Sequence, residues 1–479
     1  MTSSFVGFLK HGGNYLFASF ANSALVFISI PIYTRLLNTE EYGIVSIFLG
    51  ITNILASLMS FSTDRSVSRY FFDQKDELDF KKFVGASSIL AFIFFIINSI
   101  LLAIFAEEFG EFIGLNKYVV YLLIPVTAIN ILGLTFEQIY GPIKRSRDIA
   151  RSSITKVILG FIFSILLIIL FKKDKYYGQI LGQIIAGVFM LFVWIKLVKP
   201  YFIFSLELDH IKYIFKYSVP LIPYALSGVI IEQFGKIFIG GSLSLSQAGF
   251  YNLALMISSI VNIIIGVTHQ AWNPYFFEYM NTKNYQQLDK DYIRIFKITI
   301  FVAFGVASFG KEIGLVMAKN NFTEALFLIP FFTIGYIFSQ FAFVYLRNFG
   351  YAKKILYMSI TIFASGILNI FSNILLMKSF GQLGVAIAFV ISYIFMTILG
   401  WFFNAFIVKI HATPLKKILP LLLLAVPFYC TLFFLLEIKL LYLSVVLKFI
   451  LITLFSLILV WNDRNLVLSA IKKFKFLNI

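Results

Sequence analysis

The chain reads as an all-α integral membrane protein with about fourteen transmembrane helices, in two six-helix lobes related by a parallel pseudo-repeat, plus two extra C-terminal helices. Three observations predict this. Of 479 residues, 60% are hydrophobic and 13% charged, where soluble domains average about 45–50% and about 25%. Apolar runs recur along the whole chain, and a spanning helix needs roughly 20 such residues. Lysine and arginine concentrate in alternate breaks between those runs. A mean hydropathy of +0.90 leaves no room for a large soluble catalytic domain. Cys430, the single cysteine, lies in an apolar run and excludes a disulfide scaffold. The net charge of +17 would suggest nucleic acid in a soluble protein. In a membrane protein it suggests basic loops facing anionic lipid, so the bilayer and not nucleic acid is the expected partner.

Residues 1–10 carry one basic residue and no small-residue cleavage site follows, so the first run, 14–37, is expected to stay as a helix. Further spans are expected at 43–63, 83–105, 118–140, 152–171, 178–197, 218–241, 250–272, 295–317, 325–346, 355–377, 384–408, 418–436 and 441–461. The polar ends of the second and eighth (64–72 and 270–280) either extend the helix or form loop. Pro31, Pro125, Pro220, Pro223 and Pro330 fall within or at the start of spans, where each removes a backbone hydrogen bond and makes a hinge or a static bend.

One set of breaks contains Lys10, the segments near 65–82, 144–156, 196–216, 283–297, 347–354 and 409–417, and the tail from Arg464; it holds 29 lysines and arginines. The alternate set holds 8: Arg35, Lys117, Lys172, Lys173, Lys175, Lys319, Lys378 and Lys439. The positive-inside rule then places both termini in the cytoplasm. The outer loops are short, the longest being 106–117. A membrane glycosyltransferase or polymerase would need a larger one for catalysis. Glu107, Glu108 and Glu111 read as solvated loop surface, not as an acid–base pair.

A weak echo links the halves. Residues 34–43 (TRLLNTEEYG) and 240–249 (GGSLSLSQAG) each lead into an apolar helix, then into a polar linker containing Leu78-Asp79 or Leu288-Asp289. Parallel repeats of this kind are a transporter architecture with the path between lobes. The expected division is 1–200, 201–410 and, for the two added helices, 411–479.

Ionisable groups inside the hydrocarbon should face protein or water, which makes them informative. Glu232 and Lys236 are four apart and share a helix face, able to neutralise each other. Arg65 and Arg69, with Asp64, end the second span; Glu137 ends the fourth; Arg347 ends the tenth. The arginines either line a cavity or snorkel to lipid phosphates. Lys311 and Glu312 are adjacent and point apart, and Lys448 is expected to snorkel at the surface of the last helix. Gln270-Ala-Trp272-Asn273-Pro-Tyr is either an interfacial aromatic belt or a sugar-facing surface. His11, His210, His269 and His411 have no ligand partner at helical spacing, and no Walker-type loop is present. No metal, no cofactor and no nucleotide hydrolysis are expected.

Residues 31–37 (PIYTRLL) followed by Glu41-Tyr-Gly43, 65–71 (RSVSRYF), 217–223 (YSVPLIP) and Gly249-Phe-Tyr251 together resemble, in order, the bacterial polysaccharide biosynthesis family. These are the Wzx-type O-antigen flippases, in one superfamily with MATE multidrug exporters and lipid II flippases. Many relatives carry an Asp-Arg pair late in the seventh helix, where this chain has Gly235-Lys236; Glu232, one turn earlier, is left to supply the acid. The resemblance implies translocation of an undecaprenyl-pyrophosphate-linked oligosaccharide across the inner membrane by alternating access, alongside a polysaccharide polymerase and a chain-length regulator, with no enzyme activity. A diphosphate needs cations to offset its charge, and that role is expected of Arg65, Arg69 and Lys236, with Arg35 and Arg347 as lesser candidates. Gln270, Trp272 and Asn273 would meet sugar, and Glu232 would tune Lys236 or couple an ion. The alternatives are a MATE-like drug or metabolite exporter, against which the cationic excess argues, and a membrane polymerase or ligase.

Overall fold

The computed structural model describes residues 21–318, 320–436 and 441–460. The expected helix start at 14–20, with His11, Lys10, Lys319, Lys439 and the basic tail, lies outside them. All the described elements are helical. The N-terminal half comprises α1 (21–36), α2 (Thr39–Met59), α3 (Asp64–Tyr70), α4 (Glu77–Ile104), α5 (Ala106–Ile113), α6 (Lys117–Tyr140), α7 (Ser146–Leu170), α8 (Tyr176–Val198) and the short α9 (Leu208–Ser218). The rest comprises α10 (Leu221–Ser242), α11 (Leu245–Asn281), α12 (Tyr285–Met317), α13 (Ile329–Tyr351), α14 (Ile355–Phe403), α15 (Leu415–Leu436) and α16 (Leu441–Val460).

Eleven described segments are long and apolar enough to cross a membrane. One of them covers two expected spans in α14. Gly381 breaks it at φ 55°, ψ −134°, a conformation that side chains with a Cβ avoid. With α1 and α10 the crossings come to about fourteen. The two open questions at helix ends resolve in opposite ways. After α2 the chain turns and forms the separate α3, whereas α11 runs 37 residues straight through Pro274. The outer segment 106–117 is not simply loop, because α5 occupies most of it. Pro220 and Pro330 sit at helix starts, where the missing N–H costs nothing.

α2 packs on α6, α6 on α8, and α7 on α8; in the other lobe α10 and α13 pack on α14 and α11 on α12. α2 crosses to touch α10 and α11, joining the lobes. The repeat shows most clearly in two matched clasps. His210 Nε2 lies 3.0 Å from Asp79 Oδ1, and His411 Nε2 lies 2.9 Å from Asp289 Oδ1. Each histidine lies in the connector just past the last long helix of a lobe, beyond residue 200 or 410, and reaches back to the Leu-Asp step of the lobe it follows. Each also carries a tyrosine ring, Tyr70 edge-on to His210 and Tyr285 stacked on His411.

The added pair α15–α16 docks on α12, with Phe304 set against Phe428, Tyr429 and Phe455. Lys448 corrects an expectation here. It does not snorkel: its side chain is 0% exposed and Nζ lies 2.6 Å from Glu312 Oε1. α16 turns this face toward α12, so the ammonium group meets a carboxylate instead of lipid.

Candidate functional site

Most loop lysines and arginines of the larger set lie at one end of the helices, the basic face. At the other end hydrogen bonds and backbone contacts bridge the lobes, beneath an outer cavity of about 620 Å³ bordered by Thr34, Arg35, Thr39 and Lys175. Thr34 Oγ1 donates to the Met317 carbonyl at 2.6 Å, and Arg35 Nη2 to the Val316 carbonyl at 3.0 Å. Both acceptors are free carbonyls in the last turn of α12, where a cation also suits the helix dipole. Thr39 Oγ1 bonds Ser246 Oγ at 3.1 Å. Glycines allow the backbones to meet: a Cβ on Gly43 would collide with the Leu245 carbonyl, and one on Gly249 with the Thr39 carbonyl.

Toward the basic face two adjoining cavities open, of about 610 and 440 Å³. The larger is walled by both lobes. α2 contributes Asn53 and Ser57, α3 Arg65, α6 Asn130 and Glu137, α7 Ser152, Ser153 and Lys156, and α10 Gly228, Glu232 and Gln233. The smaller runs into the N-terminal lobe among Tyr33, Tyr42, Gln179, Gln183 and Asn252. Asn53, Asn130 and Lys156 border both. Lys156 is the hinge of the arrangement, with Nζ 2.9 Å from Asn130 Oδ1 and 5.4 Å from the Trp194 ring centroid. It stands ten residues inside α7, about 15 Å along the helix.

The expected site residues separate. Arg65 and Glu232 line the larger cavity. Lys236 is buried behind the smaller one; its Nζ donates to Asn252 Oδ1 at 3.2 Å, and Asn252 in turn reaches Tyr42 Oη at 3.4 Å. Glu232 and Lys236 do not form a close ion pair, since Glu232 accepts from Asn262 at 3.2 Å instead. Arg69 points out and pairs with Asp73 at 3.3 Å. Arg35 belongs to the seal at the opposite end. Gln270 and Asn273 are exposed on α11 and border neither cavity. Trp272 is buried beneath Arg347, in a separate cluster within the C-terminal lobe.

The glycine at 235 also has a steric reason. A Cβ there would lie 2.6 Å from Tyr251 Oη and 2.7 Å from Val385 Cγ1, so an acid cannot occupy this position without displacing Tyr251. Lys156 is the cavity cation that the loop count conceals. Ser153 and Ser152 stand three and four residues before Lys156, on its side of the helix, and that polar stripe is the signal for it. Among the described residues no group of His, Cys, Asp and Glu could hold a metal ion.

In fold the described helices match those of a solved lipid II flippase and of solved MATE transporters. A solved structure of the lipid II flippase MurJ in an inward closed conformation superposes with a TM-score of 0.70, covering 95% of this chain and 99% of that one at 15% identity. An inward-facing multidrug resistance MATE family transporter superposes with a TM-score of 0.57, covering 81% of this chain and 94% of that one at 16% identity. In sequence the chain is 19% identical over 398 residues to a Haloferax volcanii protein named "Probable low-salt glycan biosynthesis flippase Agl15", spanning 80% of each. Residues 8–280 match the family described as polysaccharide biosynthesis protein, and the chain belongs to that family of multi-pass membrane proteins.

Proposed function

We propose that the protein flips a lipid-linked oligosaccharide, an undecaprenyl-pyrophosphate-linked repeat unit, across the bacterial inner membrane for assembly of a surface polysaccharide. One observation carries this reading: a polar, cation-bearing cavity lies between two lobes that are sealed at the opposite end. A diphosphate and a hydrated sugar cannot cross roughly 30 Å of hydrocarbon without such a chamber. Arg65 and Lys156 take the diphosphate in the larger cavity, since a guanidinium fork suits phosphate oxygens. The amides of Asn53, Asn130 and Gln183, with the Tyr33 and Tyr42 rings, take sugar. Lys236 holds the far wall through Asn252, and Glu232 adjusts the local charge. With the basic face in the cytoplasm, as loop charge argues, both termini are cytoplasmic and the cavity is loaded from inside. Lobes 1–200 and 201–410 then rock about the α2–α10–α11 contact, with 411–479 riding on the second, and a polymerase and a chain-length regulator receive the product.

Arg65 and Lys156 share the chamber with Glu137 and Glu232, and it is the two cations that a diphosphate would engage and a cationic drug would not. Single Arg65→Gln, Lys156→Gln and Lys236→Gln variants should each lower surface polysaccharide at least about tenfold, matching loss of a charge-assisted hydrogen bond of about 1.5–3 kcal/mol. Immunoblotting of membranes checks that each variant is still inserted. Unchanged polysaccharide in all three would remove the cationic-cavity assignment.

A further inference from the structure

The C-terminal lobe holds a second buried polar cluster that the flipping mechanism does not use. Arg347 on α13 donates through Nη2 to His269 Nδ1 on α11. His269 Nε2 lies 2.7 Å from Gln340 Oε1, two turns before Arg347 on the same face of α13. The Arg347 guanidinium carbon sits 4.7 Å from the Trp272 ring centroid and 5.3 Å from that of Phe276. Proton bookkeeping fixes the direction of this chain. Arginine can only donate, so Nδ1 accepts, the neutral imidazole keeps its proton on Nε2, and that proton goes to Gln340 Oε1.

The Gln340 amide nitrogen is therefore left over. It is buried without a partner, and so are Arg347 Nη1 and Trp272 Nε1. All three are N–H donors. Gln340 is 0% and Trp272 7% exposed. No carboxylate pairs with Arg347 among the described residues. Arg347 and Gln340 bond the two nitrogens of one imidazole and Trp272 lies under the guanidinium, so a cation and three N–H donors without a protein partner surround a single side chain, an arrangement that favours negative charge.

We infer that this cluster binds a small inorganic anion of the halide class, chloride under cellular conditions, held by Arg347, Trp272 Nε1 and the Gln340 amide. A monatomic anion accepts hydrogen bonds from any direction and needs little room. Phe276 and the buried Tyr292 pack against the Arg347–Trp272 pair, surroundings that suit such an ion better than a hydrated diphosphate carrying a lipid. The anion neutralises the C-terminal lobe without entering the substrate cavities.

The test uses the purified full-length protein in detergent, titrated with sodium chloride or bromide against sodium gluconate at equal ionic strength, with unfolding temperature as readout. Saturable stabilisation by both halides over gluconate is expected. Trp272→Phe keeps the ring under Arg347 and removes only the N–H; it should raise the half-saturating halide concentration at least tenfold, and Arg347→Gln should abolish saturation. Bromide anomalous density within hydrogen-bonding distance of Arg347 Nη1 would locate the ion. Equal stability in halide and gluconate overturns the inference, as does a titration that both variants leave unchanged. Stabilisation by inorganic phosphate but not by halide also overturns it, in favour of an oxyanion site for substrate.

Discussion

Replacing Gly43 by leucine is expected to abolish transport while leaving the protein in the membrane. The position faces the Leu245 carbonyl across the lobe boundary, and that acceptor is main chain, so no rotamer change can make room. Backbone cannot yield without moving α10 and α11 away from α2. The seal formed by Thr34, Arg35 and Thr39 is then pried open, and a flippase that cannot shut one end loses alternation. Surface polysaccharide should fall by about a hundredfold or more, the scale of a population shift of roughly 3 kcal/mol. The opening itself can be read by thiol labelling. Ile113, 1% exposed where the end of α5 lies against Gly240 of α10 across the lobe boundary, is changed to cysteine in a background in which the exposed Cys430 is serine. A membrane-impermeant maleimide should label Ile113→Cys only when Gly43→Leu is also present. Normal polysaccharide, or no gain in labelling, would show that the glycine contact is not a gate.

The second large effect is on stability. Lys448→Met strips the partner from Glu312, whose other oxygen is already buried without a hydrogen bond. Leaving one charge of a buried pair uncompensated costs about 3–5 kcal/mol. Unfolding should begin with release of α15 and α16 from α12. The double variant Glu312→Leu with Lys448→Met removes both charges and should recover most of the loss. Differential scanning fluorimetry in detergent checks this, and a single variant as stable as the parent would mean the pair carries no structural weight.

The spans could be read from apolar runs because hydrocarbon thickness sets their length, and that constraint acts locally. What escaped depends on contacts between distant segments. α3, α5 and α9 are too short for a window tuned to a bilayer, whereas the spans expected at 355–377 and 384–408 are the two arms of α14 that meet at the Gly381 kink. Among site residues, Arg65 and Glu232 were legible as charges that hydrocarbon would not tolerate. Lys156 was hidden because it sits where a basic loop and a helix start overlap in sequence, so the loop count absorbed it. Glu232 and Lys236 show the reverse error: helical spacing predicts a pair, but Asn262 and Asn252 on the neighbouring helix each claim one member. The Lys448–Glu312 contact spans 136 residues and has no local signal at all.

The matched His210–Asp79 and His411–Asp289 clasps bear on how such a chain is made. Each half is tied off by a side chain that emerges last and grips a carboxylate inserted early, so the first half can be finished before the second begins. Cotranslational insertion would then deliver two self-contained bodies in succession, and a gene cut between Ser218 and Leu221 should still yield a working pair when both fragments are made in the same cell.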